Sequence, residues 1–286
     1  MDSLKRLQEP EFWLLCALAA FAALHLALLN RLDDSELFAT SLLFWVAVGS
    51  LIWEKRYLLN LESGFVSSLI GILILGLLLL RCNTLPDSTS MLRSLPFVSM
   101  LGLGLLASGF SGLLQYWREL IIFGLLALYR VLEVLLQSID LPLLTAKAAM
   151  FMLWYSGFQV QQNGVFLNLP TGRVEVYGAC SGIHTILLML SIAVLFLLMF
   201  PVYSDVKKIV CLIAATLIGF LVNSARVALM AILVAFSNDG AFEYWHSGNG
   251  SLIFSMISVG LFGLFCWLAF LRIPPETPET GASAND

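Results

Sequence analysis

Along the chain, long hydrophobic runs alternate with short polar breaks. A helix that crosses a bilayer needs about 20 mostly apolar residues. Eight runs come near that length: Phe12 to Leu29, Leu37 to Trp53, Phe65 to Leu80, Leu95 to Leu114, Glu119 to Leu136, Ser181 to Val202, Ile209 to Phe236 and Ser251 to Leu271. The fifth contains Arg130 and Glu133. A further stretch, Leu141 to Val160, is apolar but holds Pro142, Lys147 and Gly157 and leads into Gln161, Gln162 and Asn163. It reads as an interfacial or partly inserted helix. From Val165 to Tyr177 the period shortens to two. Val174 and Val176 alternate with Arg173, Glu175 and Tyr177 after the turn signal Pro170-Thr171-Gly172, which predicts a short hairpin. The pattern as a whole predicts an all-α integral membrane protein. It is a polytopic bundle of about eight transmembrane helices, with an interfacial helix and a short outer-face hairpin.

Composition supports this. Of 286 residues, 59% are hydrophobic and 12% charged, about half the charge of an average soluble domain, and the mean hydropathy is +0.91. These values exclude a soluble enzyme, a disordered chain and a collagen-like fibre. A net charge of -4 gives no basic patch, so nucleic acid is not an expected partner. The five cysteines, Cys16, Cys82, Cys180, Cys211 and Cys266, are scattered and contain no CxxC pair. They suggest neither a disulfide framework nor a zinc site.

Charge also sets orientation, because Lys and Arg stay cytoplasmic. With the N-terminus inside, Lys5, Arg6, Lys55, Arg56, Arg118, Lys207, Lys208 and Arg272 all fall inside; Arg81 and Arg93 run against the rule. A full crossing by 141–160 would put Lys207 and Lys208 outside, which favours the interfacial reading. Both termini are then cytoplasmic, in the inner (cytoplasmic) membrane. The first run is read as a retained span, because Glu9 and Glu11 abut it and it ends in no small-x-small cleavage site. Residues 1–136 form a five-span bundle, 137–272 a catalytic part with three spans, and 273–286 a disordered tail rich in Pro, Thr, Gly and Ser.

Polar residues in or beside spans are costly and are therefore candidates for function. Cys180 opens the sixth run, Arg226 lies in the seventh and His246 precedes the eighth. Eighteen residues of helix put Arg226 about 27 Å beyond Lys208, near the outer boundary, where Cys180 and His246 also fall. A thiol, a guanidinium and an imidazole thus meet at one membrane level. A thiolate is the nucleophile of cysteine chemistry. A helix N-terminus and an adjacent Arg would both lower the Cys180 pKa. Arg226 can also stabilise an oxyanion, and His246 can carry the proton from thiol to leaving amine. The plainer alternatives are a structural Cys, an Arg that snorkels to headgroups and an interfacial His.

Other readings stay open. His184, four residues after Cys180, would share its helix face and is an alternative base or a supporting group. Ser181 raises a serine intramembrane protease, but the GxSG pattern is missing. A metal site on Cys180, His184 and His246 lacks a carboxylate or fourth ligand, so neither metal nor cofactor is expected. A transporter or channel with Arg226 in its pathway is the main rival, although the chain has no internal repeat. His25, mid-span, reads as bundle packing.

Three ordered segments, Ala179-Cys180-Ser181-Gly182-Ile183, Asn223-Ser224-Ala225-Arg226-Val227 and His246-Ser247-Gly248, resemble the exosortase/archaeosortase family of membrane cysteine transpeptidases. The resemblance covers roughly 141–271, and length and pattern are most similar to the cyanobacterial branch. It implies secreted protein substrates with a C-terminal sorting signal: a short motif such as Pro-Glu-Pro, a transmembrane helix and a basic tail. By that analogy Cys180 attacks near the motif at the outer face. The resulting thioester passes to an unidentified acceptor, a lipid or glycan, or to water. Cys180, Arg226 and His246 carry over as the catalytic residues, with Asn223 in support.

Overall fold

The structure, a computed structural model, describes residues 10–32, 34–84, 89–200, 202, 204–246 and 250–272. Lys5, Arg6, Glu9, Asp33, Ser247, Gly248 and the tail 273–286 lie outside the described residues.

The first four runs form helices α1 (Pro10–Leu29), α2 (Ser35–Lys55), α3 (Phe65–Thr84) and α4 (Thr89–Gly112). Each reaches beyond its apolar stretch because polar residues complete the terminal turns. Asp34, for example, caps α2 by accepting from the Leu37 amide at 2.9 Å.

The fifth run is not one helix. It divides at Leu128 into α5 (Trp117–Ala127) and α6 (Tyr129–Leu136). α5 belongs with α4. The chain departs from helical geometry at Gly109 (φ 68°, ψ -172°), and the Ser108 and Tyr116 hydroxyls bond across the turn at 2.9 Å. A Cβ on Gly124 would stand 3.8 Å from the Phe97 ring, so the two helices lie side by side as a hairpin. α6 belongs instead with α7 (Leu141–Tyr155), bent from it by 72°. Arg130 and Glu133 therefore pair at 2.8 Å on a short helix beside a bend, not in mid-span.

Among the described residues, six helical segments are long and apolar enough to cross a membrane, with α4 and α5 counted as one, or seven if the bent pair is one span. α8 (Ile183–Met199), expected as a full crossing, is apolar but has only 17 residues. α9 (Asp205–Ala235) is the longest, with 31 residues. α10 (Asp239–His246) is short, and α11 (Gly250–Cys266) continues into a π-turn at Trp267–Leu271. The chain is an all-α, multi-pass membrane protein.

α7 is capped by Asp140, which accepts from the Leu143 amide at 3.2 Å. Pro142 sits in the first turn, where no N–H is needed. Its buried face of Thr145, Ala146, Ala149 and Leu153 packs on α9; small side chains let the two helices approach closely.

The predicted hairpin is a three-stranded antiparallel sheet of β1 (Gln161–Asn163), β2 (Phe166–Leu169) and β3 (Gly172–Glu175). β1 escaped the sequence reading because Gln161, Gln162 and Asn163 have no apolar alternation; pairing with Asn168, Leu167 and Phe166 makes it a strand. The sheet is fastened to the end of α9, where Thr171 donates to the Ala235 carbonyl at 2.6 Å. Gly172 is needed there, since a Cβ would come within 2.9 Å of Val234.

The bundle has two unlike ends. At one, Lys55 meets Glu119 at 2.9 Å and also donates to the Gln115 carbonyl. At the other, Glu36 at the start of α2, His184 at the start of α8, Ser255 on α11 and Arg226 on α9 surround one cavity. Cys180 lies beside it in an apolar cluster with Ala146, Leu153, Leu167, Val176 and Met230. His25 is buried and accepts from Trp45 Nε1 at 2.9 Å.

Candidate active site

Cys180 ends the tight 3₁₀ turn Gly178–Cys180. Its amide donates to the Tyr177 carbonyl at 2.9 Å. The chain then passes through Gly182 at φ 87° before α8 begins at Ile183. Cys180 is thus not on the helix, and the four-residue spacing to His184 is not a helical one. Gly182 is required twice: its φ suits glycine, and a Cβ there would stand 2.8 Å from Asn223 Nδ2. That Nδ2 donates to the Cys180 carbonyl at 3.0 Å, and Thr145 donates to the Ser181 carbonyl at 2.8 Å. α7 and α9 therefore hold the turn from two directions. Ser181 is fully buried and donates to the Gly178 carbonyl at 2.6 Å. Its hydroxyl fastens the turn and does not face His246 as a nucleophile would.

His246 Nε2 stands 3.7 Å from Cys180 Sγ and 3.0 Å from the Tyr177 hydroxyl. The imidazole stacks on Phe242, with ring centres 5.1 Å apart and planes 11° apart. Arg226 does not snorkel. Its Nη2 donates to the His246 carbonyl at 2.6 Å and its Nε to the Trp245 carbonyl at 3.4 Å. The guanidinium thereby pins the end of α10 and keeps the imidazole over the thiol. Cys180, Arg226 and His246, separated in sequence, come together at one end of the bundle.

A helix N-terminus and Arg226 would both lower the thiol pKa, and the structure reverses this expectation. Burial pushes the Cys180 thiol above its usual range, and the Arg226 charge and a hydrogen bond with Tyr177 offset only part of that effect. The resting group is a thiol, and it requires a base. Burial also pushes the Tyr177 phenol up, so Tyr177 stays protonated as a hydrogen-bond donor.

His184 belongs to a different network. Its Nδ1 lies 2.5 Å from the Tyr129 hydroxyl and its Nε2 3.1 Å from Glu36 Oε1. It is not the base facing Cys180. Tyr177 and Phe242 were missed from sequence: Tyr177 read as one position of a strand alternation and Phe242 as an ordinary aromatic. The nearness of Tyr177 to Cys180, three residues before it, was the available signal.

Fold and site together define a polytopic membrane protein that carries a buried thiol, an imidazole and a guanidinium at one end of its bundle. The transmembrane exosortase family (Exosortase_EpsH) matches residues 29–263. The chain belongs to this family of membrane processing transpeptidases, which act on secreted proteins that bear sorting signals. No curated protein and no solved structure matches it.

Proposed function

We propose that the chain is a cysteine transpeptidase that cleaves the C-terminal sorting signal, of Pro-Glu-Pro type, from secreted proteins at the outer face of the cytoplasmic membrane. The observation that carries this reading is the 3.7 Å approach of His246 Nε2 to Cys180 Sγ, with Arg226 bound to the carbonyl of the same histidine. His246 takes the thiol proton as Sγ attacks the scissile carbonyl. Arg226 supplies positive charge beside the developing oxyanion. His246 then returns the proton to the leaving amine, and the N-terminal fragment remains as a thioester on Cys180. Tyr177 holds the imidazole at Nε2 until the thiol proton arrives. Helices α1 to α5 serve as the bundle that seats the substrate's own span, so that bilayer depth brings the scissile bond to the thiol. Within the family, length and motif pattern are most similar to the cyanobacterial branch.

The transporter reading is less well supported, because Arg226 is bound to the two backbone carbonyls that hold the imidazole and the family is one of processing transpeptidases. The test is co-expression with a tagged secreted protein that ends in such a signal. Cys180→Ala, Arg226→Ala and His246→Ala should each abolish or strongly reduce processing. Normal processing by a well-folded Cys180→Ala variant would end the proposal.

A further inference from the structure

The cavity beside the Cys180 turn has a volume of about 620 Å³, within the range of small-ligand sites. Among the described residues its wall includes Arg226, Asn223, His184, Tyr129 and Glu36, but neither Cys180 nor His246. The wall thus carries a second imidazole with its own partners. Glu36 is an acceptor, so His184 Nε2 carries the hydrogen that meets Oε1 at 3.1 Å. Nδ1 is then the acceptor for the Tyr129 hydroxyl at 2.5 Å. The Ser255 hydroxyl also donates to Glu36 Oε1, at 3.0 Å, and fixes the carboxylate. Three elements, α6, α8 and α2, have been brought together to build a phenol–imidazole–carboxylate chain that the cleavage step does not use. A second observation concerns Asn223. Its Nδ2 is spent on the Cys180 carbonyl, while its Oδ1 is buried with no hydrogen-bond partner among the described residues. A buried acceptor left unpaired is costly, and Asn223 is one of the residues that line the cavity.

We propose that the cavity holds the acceptor of the acyl group, that this acceptor is a hydroxyl compound, and that Tyr129, His184 and Glu36 form a second base which activates it. The inference rests on the thioester reading above. A hydroxyl is a weak nucleophile until its proton is removed. The wall reaches the Cys180 turn at Gly178 and Gly182, and the imidazole it carries is that of His184. As the acceptor oxygen attacks the thioester carbon, its proton passes to the Tyr129 oxygen and the Tyr129 proton passes to His184 Nδ1. Glu36 balances the imidazolium. The new C–O bond forms, the C–S bond breaks, and Cys180 leaves as a thiolate, which is reprotonated by the proton the relay holds. The products are an ester, or a carboxylic acid when the hydroxyl is water, and the free thiol.

The experiment uses the full-length protein in membranes with a tagged substrate, and compares wild type with Tyr129→Phe, His184→Gln and Cys180→Ala. Turnover in Tyr129→Phe and His184→Gln should fall by about 100-fold, the scale of general-base catalysis. The substrate fragment should accumulate as a thioester on Cys180, and neutral hydroxylamine, which attacks thioesters without a base, should restore its release. With methanol added, wild type should yield the methyl ester beside the native product, and the variants should not. Wild-type turnover in both variants would overturn the relay. So would loss of the thioester together with turnover in variants that elute as folded protein. A native product joined through an amide would overturn the hydroxyl class. Normal processing by Cys180→Ala would instead remove the thioester reading itself, and the relay with it, so the two failures are distinguishable.

Discussion

At the scale of single residues, the site depends on which polar groups are already committed. The Arg226 guanidinium is held by the carbonyls of Trp245 and His246, so it acts through geometry as well as charge. Its charge also pulls the Cys180 thiol pKa down, against the stronger upward push of burial. Two outcomes follow for alkylation of Cys180 by a small neutral reagent. In wild type the rate should keep rising with pH beyond the ordinary thiol pKa of about 8.5. In Arg226→Gln, where the lowering charge is gone, it should be slower at every pH below that rise. A rate that levels off by pH 7 would contradict the assignment. That Cys180, Arg226 and His246 meet was legible in the sequence, because a charge inside an apolar run is rare and motif order tied the three together. The direction of the thiol shift was not legible. It depends on desolvation by Leu167, Val176 and Met230, which come from a strand, a loop and a helix that the tertiary fold brings together. Tyr177 was missed for the same reason: contact with His246 joins residues 69 apart.

At the scale of elements, the entry to α8 is the part most exposed to substitution. Gly182 holds a left-handed conformation at φ 87° with Asn223 against it. Gly182→Ala should cost roughly 1–2 kcal/mol for the backbone alone, and more if Asn223 must move. Asn223→Ala should cost on the order of 1–3 kcal/mol, because the Cys180 carbonyl loses its donor. Thermal unfolding in detergent, read beside substrate processing, checks both. Unchanged melting and processing in Gly182→Ala would mean that the turn is not built as described. Apolar periodicity located α1 to α4 and α9 well, since each is a long run between polar breaks. It failed at Glu119–Leu136, where apolar content continues across Leu128 but the backbone does not. Hydropathy does not register a change of direction. It failed again at β1, a strand made by its partner and not by its own pattern.

At the scale of the whole molecule, the two ends of the bundle differ in kind. The Lys55–Glu119 pair closes one, and the other carries the thiol, the sheet and the cavity. We propose from the positive charge at the first end that it faces the cytoplasm, with the site then opening where secreted substrates emerge. The assignment predicts opposite labelling by an impermeant thiol reagent in intact cells, in a background lacking native cysteines. Tyr155→Cys, at the exposed end of α7, should react from outside, and Lys207→Cys, at the start of α9, only after permeabilisation. The reverse pattern would invert the orientation.

The central claim is that Cys180 carries the substrate. Rapid acid quench of wild type with a tagged substrate, followed by mass spectrometry of the Cys180 peptide, tests it most directly. The account predicts a hydroxylamine-labile adduct with the mass of the substrate's N-terminal fragment on Cys180, absent from Cys180→Ala. Processed substrate with no such adduct, and equal processing by Cys180→Ala, would contradict it.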